Sequence, residues 1–467
     1  MPRSVPVVPA VLLALALTLT ACDGGVHGTP GGSGVHDPYF PRAGNGGYDV
    51  GHYDLKLAYD PAGAHRLTGT ATLTACATQD LTAFDLDLDG LRVDRVTVEG
   101  RSARWNRAGQ ELTVRPHDDL RDHETFHVTV RYSGTPQTLT DPDGSHEGWL
   151  PTADGALALG EPVGSMTWFP GNDHPSDKAT YDIAITVPKG LQAVSNGELT
   201  RETNSSRGRT TFTWHTAEPM ASYLATVAVG HYDISRSTIG KDRLPAYVAV
   251  DPAQTKASRK VLAKLPEIIE WEEHTFGAYP FSSTGVIVDR PQDAEYALET
   301  QNRPVFPGAP DTTTLVHELA HQWYGDSVTP STWRDMWLNE GFATYAEWLW
   351  AEDHGGDSAQ KTFDTLYAHG EDDHPHLWSF PPGKPSDAAH ISDDPVYVSG
   401  AMVLHKIRQK VGDTAFRRIL RGWAAAHRHG NADTGDFTAY VEKQAPDEDF
   451  GSIWRDWLYG DGKPETR

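Results

Sequence analysis

Cysteine is almost absent from the sequence, which has two, Cys22 and Cys76, among 467 residues. Cys22 lies at the end of an apolar leader, so at most one thiol remains for the folded part of the chain. Because a single thiol cannot form an internal disulfide, the fold must be held by its core. With 38% hydrophobic residues and 14 Trp, a chain of this length can build two or three domains, each with its own core.

Positive charge is also scarce. The sequence has 40 Lys and Arg against 64 Asp and Glu, which gives a formal net charge of -24. A surface with this excess of negative charge repels phosphate backbones. We therefore expect no nucleic-acid partner, and we interpret the charge as an aid to solubility outside the cell.

Long apolar runs are absent after the first two dozen residues, so the rest of the chain has no candidate membrane span. Residues 1–22, MPRSVPVVPAVLLALALTLTAC, combine one early Arg with a short apolar stretch that ends in small residues, as export signals do. Residues 19–22, LTAC, resemble the bacterial lipobox, in which the cysteine is lipidated. An ordinary signal peptide with an incidental cysteine is the alternative. We expect a lipoprotein signal peptide over 1–22, a Gly-rich tether over 23–36, and anchoring through Cys22 to the outer face of the bacterial cytoplasmic membrane.

The period of the apolar residues divides the rest of the chain in two. Over residues 37–235, segments such as YDVGHYDLKLAYD and TFHVTVRYSG alternate apolar and polar residues between Gly, Pro and Asp turns, which is typical of antiparallel strands. Over residues 236–467 the period becomes helical, beginning with SRKVLAKLPEIIEWEEHTFG, which predicts one amphipathic helix closed by Gly277. The sequence therefore predicts an N-terminal β domain over 37–235 and a mainly helical domain over 236–467.

The segment TLVHELAHQWYG contains the first residues that indicate chemistry. His317 and His321 are four residues apart, and on a helix such residues lie on one face, about 6 Å apart. Both imidazoles can therefore reach one metal ion. Glu318 lies between them, placed to hold a water on that ion rather than to bind it. Asp311 offers an N-cap for this helix.

A third ligand is expected from Glu340, in WLNEGFATYAEW, 19 residues after His321. A turn through Gly325 and Pro330 would let a second helix return past the first. Two His and one Glu, with one position left for water, are typical of catalytic zinc. Glu318 would then act as general base and acid. A chance match is the alternative, and the strongly patterned second helix argues against it. Thr344, one turn beyond Glu340, could support that ligand or simply pack in the core.

These residues resemble a known family. HELAH, 18 residues and then Glu340 within NEGFA is similar to the aminopeptidase N family of gluzincin zinc metallopeptidases. Segments that begin at Glu161 (EPVGSMTWFPGNDHPSDKATYDI) and Tyr296 (YALETQNRPVF), and DDPVYVSGAMVLHKI around Tyr397, resemble further parts of that family. The resemblance implies a saddle-like antiparallel β domain followed by a thermolysin-like, mainly helical catalytic domain. It also implies one Zn²⁺ per chain, and we expect a monomer.

The resemblance also assigns roles to residues outside the metal site. Glu299 and Glu161 would bind the free α-ammonium group of a peptide, a role for which paired carboxylates are suited. Tyr397 would stabilise the oxyanion of the reaction. Ala297 and Gln301 would hold the peptide in extended pairing.

Two departures from the family pattern affect what is expected. Tyr296 and Thr300 stand where the exopeptidase motif has Gly and Asn, which changes the backbone contacts to the first residue of the substrate. The chain also ends about 70 residues after Tyr397, where larger members continue into a further helical domain, so we expect a more open cleft. The sequence thus predicts a zinc aminopeptidase. An endopeptidase of the same chemistry, a non-catalytic surface protein that binds peptides or zinc, and, more weakly, an epoxide hydrolase are the alternatives.

Overall fold

The computed structural model of the protein describes residues 28–290 and 294–465. The expected signal peptide with Cys22, and residues 23–27 of the expected tether, lie outside the described residues. Within them, no helix has both the length and the hydropathy needed to span a membrane.

The first part of the described chain is built from strands, as the alternating pattern predicts. In β2 and β3, for example, Leu55, Leu57 and Leu73 are fully or almost fully buried while their neighbours face outward. The strands are β1 (Thr29–Pro30), β2 (Tyr48–Asp60), β3 (Arg66–Ala77), β4 (Leu81–Asp87), β5 (Arg92–Val98), β6 (Arg101–Ser102), β7 (Arg104–Ala108), β8 (Glu111–Arg115), β9 (Thr125–Gly134), β10 (Thr138–Thr140), β11 (His146–Pro151), β12 (Ala156–Leu159), β13 (Lys178–Pro188), β14 (Gln192–Ser195), β15 (Glu198–Ser205), β16 (Arg209–Ala221) and β17 (Val227–Gly230).

These strands form three open sheets. The largest has the order β15-β16-β13-β2-β3-β9-β5-β6, the second β10-β11-β12-β17-β14, and the third β1-β4-β8-β7. Pairing is antiparallel except for β13 with β2 and β1 with β4, which are parallel. The second sheet bears on function, because β12 leads directly into Glu161 and the β10–β11 hairpin lies beside it.

A smaller mixed sheet opens the second part of the chain. It consists of β18 (Asp233–Ile239), β19 (Leu244–Val250), β20 (Thr284–Val288) and β21 (Val305–Phe306), in that order. Leu298 pairs with Val305 in β21 through two backbone hydrogen bonds of 2.9 and 2.8 Å. This pairing places the next residue, Glu299, at the edge of the sheet. A two-stranded sheet joins β22 (Val328–Pro330) to β23 (Gly430–Ala432).

The remainder is helical. The helices are α1 (Thr255–Leu262), α2 (Leu265–Phe276), α3 (Thr312–Ala320), α4 (Trp337–Asp353), α5 (Ala359–Asp373), α6 (Gly400–Val411), α7 (Asp413–Ala426), α8 (Thr434–Gln444) and α9 (Gly451–Ile453). The single helix expected before Gly277 is wrong in detail: it is α1 and α2, divided at residues 263–264. Pro266, near the start of α2, lacks the N–H that would continue α1. The predicted fold class, a β domain followed by a mainly helical domain, is confirmed.

Helix α4 crosses α6 at two glycines. A Cβ atom added to Gly341 would lie 2.9 Å from the backbone of Gly400, and one added to Gly400 would lie 3.1 Å from Gly341. No larger residue fits this contact without movement of the helices. The crossing brings a π-helical turn, Pro395–Ser399, next to the start of α4. Glu340 precedes one glycine and Tyr397 lies three residues before the other, so the crossing sets the distance between them.

Candidate active site

Helix α3 presents both histidines of the HELAH segment. Asp311 caps its N-terminus by accepting a hydrogen bond of 2.8 Å from the backbone of Thr314, as expected from its residue type. Leu315 and Leu319 are fully buried on the face opposite the cleft. His317 lies in the last turn, and His321 is the residue at which the helix ends.

Helix α4 brings Glu340, in its first turn, to these imidazoles. Glu340 Oε2 lies 3.1 Å from His317 Nε2 and 3.3 Å from His321 Nε2. Around a tetrahedral zinc ion, neighbouring ligand atoms are about 3.4 Å apart. The donor set, its spacing and its burial therefore fit a zinc ion held by His317, His321 and Glu340.

Hydrogen bonds from behind orient both imidazoles. His317 Nδ1 donates to Glu347 Oε1 at 2.6 Å, and His321 Nδ1 donates to the carbonyl of Tyr324 at 3.0 Å. Each ring is thereby held with the lone pair of Nε2 facing the metal position. Glu347 is not predicted by the spacing of the HELAH and NEGFA segments, although it follows Glu340 by seven residues, two turns along one helix face. Thr344, the other candidate for such a support, is buried in α4, and among the described residues its side chain makes no hydrogen bond to His317, His321 or Glu340.

Glu318 lies beside the metal position, as predicted from the sequence. Its side chain is almost buried, with an exposed fraction of 6%. One of its oxygens, a ring nitrogen of His321 and an oxygen of Glu299 lie within 4.8 Å of one another. Burial, reinforced by Glu299 and Glu340 and opposed by the two histidines, raises the pKa of Glu318 to about 8. A bound cation would lower it again.

Two further carboxylates converge on the same point. Glu161, Glu299 and Glu340 each have an oxygen within 4.8 Å of the others. Glu299 Oε1 accepts a hydrogen bond of 3.0 Å from Asn339 Nδ2. Gly325, in a left-handed conformation with φ +123, makes room for Asn339, because a Cβ there would lie 2.0 Å from the Asn339 amide. Asn339 was also missed, although it stands directly before Glu340 in the NEGFA segment.

Glu161 and Glu299 thus come from different domains, as the resemblance implied. Burial and then the charges of Glu299 and Glu340 raise the pKa of Glu161 well above its usual range, and its Oε1 has no hydrogen-bond partner among the described residues. Two buried carboxylates this close repel each other when both are ionised, and a bound cation relieves that repulsion. The pair is therefore suited to binding a cation.

These residues line one cavity of about 260 Å³ between the domains. Tyr397 lies on its wall with its ring stacked on that of His317, at a centroid distance of 6.0 Å and an angle of 12°. Burial, followed by the charges of four nearby glutamates, raises the pKa of Tyr397 well above its usual range. The phenol therefore stays protonated and can donate a hydrogen bond.

Of the two residues in the Tyr296 segment that were expected to contact the peptide, Ala297 lines the cavity and Gln301 does not. Tyr296 and Ala297 line the cavity. Gln301 does not: its side chain is fully buried, and its carbonyl accepts a hydrogen bond of 2.8 Å from Asn196. The chain turns away from the cavity at Thr300, whose hydroxyl donates to the Arg303 carbonyl at 2.6 Å. The placement of Gln301 as a peptide contact is therefore corrected, because this turn carries it into the domain junction.

The fold and the site together define a zinc metallopeptidase: two histidines and a glutamate around one metal position, a buried glutamate beside it, and a cavity walled by two domains. The chain matches the Peptidase M1 N-terminal domain over residues 50–224 and the Peptidase family M1 domain over residues 295–457. The protein belongs to peptidase family M1, the aminopeptidase N family.

Individual relatives agree with this assignment. A crystal structure of an M1 zinc metallopeptidase mutant from Deinococcus radiodurans, bound to the substrate Tyr-Ser-Ala, is 31% identical, with a TM-score of 0.84 over 93% of this chain and 100% of the other. The probable aminopeptidase 2 of Sulfurisphaera tokodaii is 26% identical over 65% of this chain and 41% of its own length. The glutamyl aminopeptidase of Bos taurus is 28% identical over 61% of this chain and 32% of its own length. The chain thus spans less than half of these two curated relatives.

Proposed function

We propose that this protein is an aminopeptidase that binds one zinc ion per chain and removes N-terminal residues from peptides. The observation that carries the proposal is the convergence of Glu161 and Glu299 on the metal ligand Glu340, within 4.8 Å. An endopeptidase must leave this position open for the residues that precede the cleaved bond. Two carboxylates there close the cavity to further chain and offer charge-assisted hydrogen bonds to a free α-ammonium group. The Tyr-Ser-Ala complex of the similar metallopeptidase supports a short peptide as substrate.

Each residue of the site has a separate role in the proposed hydrolysis. His317, His321 and Glu340 would hold the zinc ion, which when bound polarises the attacking water and the scissile carbonyl. Glu318 takes the proton from the water and delivers it to the leaving amine. The Tyr397 hydroxyl donates a hydrogen bond to the carbonyl oxygen as negative charge develops there. Glu161 and Glu299 fix the first residue of the peptide so that its own peptide bond faces Glu318.

Two matched substrate panels test the proposal. Aminoacyl-coumarins with free amines and the same compounds N-acetylated are offered to the purified protein, with and without a zinc chelator. We expect turnover of the free amines alone, lost with chelator and restored by one equivalent of zinc per chain. Glu318→Gln should reduce kcat by at least about a thousandfold, because it removes the general base. Glu198→Gln, at an exposed position in β15, is the control.

The other outcomes separate the alternatives. Turnover of acetylated substrates would indicate an endopeptidase and would remove the roles given to Glu161 and Glu299. Zinc binding without turnover of either panel would indicate a non-catalytic binding protein. An epoxide substrate in the same assay addresses the weakest alternative.

We also propose that the protein is exported, anchored by a lipid on Cys22 to the outer face of the bacterial cytoplasmic membrane, and monomeric. The support for the anchor is the apolar leader and the LTAC segment of the sequence. Labelling with a radioactive fatty acid should modify the wild type and not Cys22→Ala, and Cys22→Ala should leave the membrane fraction. Light scattering of the detergent-extracted protein tests the monomer.

A further inference from the structure

The cavity holds more negative charge than the proposed reaction uses. Six carboxylates line it, namely those of Asp141, Asp143, Glu161, Glu299, Glu318 and Glu340. None of the described residues that line it is Lys or Arg. A zinc ion and one α-ammonium group supply three positive charges, so negative charge remains after both have bound. Asp141 and Asp143 are the two carboxylates for which neither the metal nor the amino group accounts.

A turn of the N-terminal domain carries these two residues. It closes the hairpin of β10 and β11, with backbone hydrogen bonds of 2.9 Å from Asp141 to the Ser145 carbonyl and from Gly144 to the Asp141 carbonyl. Asp143 Oδ1 accepts hydrogen bonds of 2.9 Å from the Ser145 backbone and 2.7 Å from its hydroxyl. Asp143 is exposed at the mouth of the cavity, while Asp141 is half-buried. The turn is thus held in place and presents its carboxylates at two depths.

The wall next to Asp141 contains polar atoms that lack a partner. Glu161 Oε1 and Tyr296 Oη are both buried and make no hydrogen bond among the described residues, and both of these side chains line the cavity. Glu147, behind Asp141 in β11, is fully buried. Burial, together with the charge of Asp143, raises the pKa of Asp141 to about 6 even though Glu147 bonds to it. Asp141 itself accepts a hydrogen bond of 3.5 Å from the Ser145 hydroxyl. Beside it, the described wall of the cavity has no Lys or Arg, and Glu161 Oε1 and Tyr296 Oη have no donor or acceptor.

We propose that Asp141 and Asp143 bind a cationic side chain, so that the enzyme prefers peptides that begin with Arg or Lys. The inference rests on the proposed aminopeptidase activity, since Glu161 and Glu299 must first fix the α-ammonium group beside the metal. A long cationic side chain from that residue then extends along the wall towards the hairpin turn. Its guanidinium or ammonium group supplies both the charge and the donors that the wall lacks. An acidic first residue is rejected by the same carboxylates.

Citrulline has the size of arginine without its charge, so a comparison of the two substrates isolates the effect of the positive charge. The measurement is kcat/KM of the zinc-loaded enzyme for arginyl-coumarin and citrullinyl-coumarin, with leucyl and glutamyl substrates beside them. We expect arginine to exceed citrulline by at least about tenfold, as for one charge-assisted contact. Asp141→Asn should reduce this ratio, mainly through a higher KM for arginine, and Asp141→Asn with Asp143→Asn should reduce it further. Asp242→Asn, an exposed position in the β18–β19 turn, removes the same charge away from the cavity and should leave the ratio unchanged.

The inference would be overturned while the aminopeptidase stands by equal turnover of arginine and citrulline by the wild type, or by a ratio that the double variant does not change. An equal fall in Asp242→Asn would also overturn it, because the effect would then come from net charge. If no free amine is turned over, the proposed function fails, and binding decides the inference separately. Calorimetry of zinc-loaded Glu318→Gln with argininamide and citrullinamide should still show tighter binding of argininamide, and equal affinities would contradict the proposal.

Discussion

Each of the two imidazoles proposed to bind zinc makes one hydrogen bond through its other nitrogen. For His321 the acceptor is a backbone carbonyl, which no substitution of a side chain removes. For His317 it is the Glu347 carboxylate at 2.6 Å, with a quarter of that side chain exposed to solvent. The two ligands therefore differ in how they can be tested, and Glu347 is the residue through which the metal affinity can be changed without touching a ligand.

We expect Glu347→Gln to lower zinc affinity by about 10- to 100-fold, the usual effect of losing a carboxylate behind a histidine ligand. The neutral amide accepts a weaker hydrogen bond from His317 Nδ1 and makes the imidazole a poorer donor to the metal. Competition with a fluorescent zinc chelator measures the affinity. Glu371→Gln, at an exposed position in α5, should bind zinc like the wild type, and an unchanged affinity in Glu347→Gln would show that the 2.6 Å contact does not support the ligand.

How much of the site the sequence predicts depends on how local each contact is. Two consecutive helices and the turn between them carry His317, Glu318, His321 and Glu340. Because the period of each helix and the turn are apparent from nearby residues, the spacing in the sequence predicts that these four side chains come together. Glu161 comes from another domain, and no period predicts its approach; only the family resemblance did. Gln301 was misplaced because the turn of residues 300–303 depends on buried contacts with the N-terminal domain.

At the scale of the helices, His405 of α6 makes hydrogen bonds to two neighbouring helices. Its Nδ1 accepts a hydrogen bond of 3.0 Å from the Tyr345 hydroxyl of α4, and its Nε2 donates at 3.1 Å to Gln360 of α5. Only the neutral ring can do both. Burial, and then the charge of Arg408, lowers the pKa of His405 to about 4.

Acid should therefore weaken this junction. The unfolded chain binds a proton at His405 near pH 6.5 and the folded chain only near pH 4, so stability falls as the pH decreases through that interval. We expect a loss of about 2–3 kcal/mol between pH 7 and pH 4 from this residue, absent in His405→Gln. Guanidinium unfolding of both proteins at each pH measures it. His123→Gln, at an exposed position, should follow the wild type, and so would His405→Gln if the buried ring does not titrate as described.

The crossing of α4 and α6 positions Tyr397, the proposed oxyanion donor, relative to Glu340, the proposed metal ligand. The helical period of residues 236–467 is apparent in the sequence, but the π-helical turn Pro395–Ser399 is not. Nor is the contact between Gly341 and Gly400, where a Cβ added to Gly341 would lie 2.9 Å from the Gly400 backbone. A close approach of backbones depends on where two distant segments meet, and a single glycine in a helical pattern does not identify its partner.

Gly400→Ala should separate the two helices and displace Tyr397. Because the new methyl would meet the Gly341 backbone at 3.1 Å, we expect a loss of about 1–3 kcal/mol of stability. We also expect a fall in kcat that exceeds the change in zinc affinity, since Tyr397 lies three residues before the substituted position, whereas both histidine ligands lie on or at the end of α3, outside the crossing. Unfolding curves and steady-state kinetics on one preparation measure both. Gly422→Ala in α7, where the added methyl would meet the end of a tyrosine side chain, provides a comparison far from Tyr397; equal losses of kcat in both would contradict the argument.

On the scale of the whole molecule, residues of both domains form the site, so the site requires the two domains to keep their relative position. One buried arginine contacts both domains. Arg303 is 1% exposed. Its guanidinium donates hydrogen bonds of 2.9 Å to the carbonyls of Ser195 and Gly197 in the N-terminal domain. It lies 4.9 Å from the rings of Trp214, in that domain, and Tyr247, in the catalytic domain. Thr300, which follows Glu299, donates a hydrogen bond to the Arg303 carbonyl. The position of Arg303 therefore also sets the position of Glu299, one of the two carboxylates beside the metal position.

Arg303→Met should therefore lower both stability and substrate affinity. The variant removes the hydrogen bonds to both carbonyls, and this loss outweighs the recovered cost of burying a charge that no carboxylate among the described residues neutralises. We expect Tm to fall by about 4 °C. KM for free-amine substrates should rise by more than kcat falls, because Glu299 is displaced relative to Glu161 while Glu318 stays on α3. Arg303→Lys should recover only part of either property, since an ammonium group lacks the planar fork that reaches both carbonyls. Arg209→Met removes a half-exposed ion pair with Asp60 at 3.1 Å and should change Tm by less than about 2 °C. If Arg303→Met and Arg209→Met lose stability equally and KM is unchanged in both, the domain junction is held by the apolar core alone, and the alignment of the two carboxylates does not depend on Arg303.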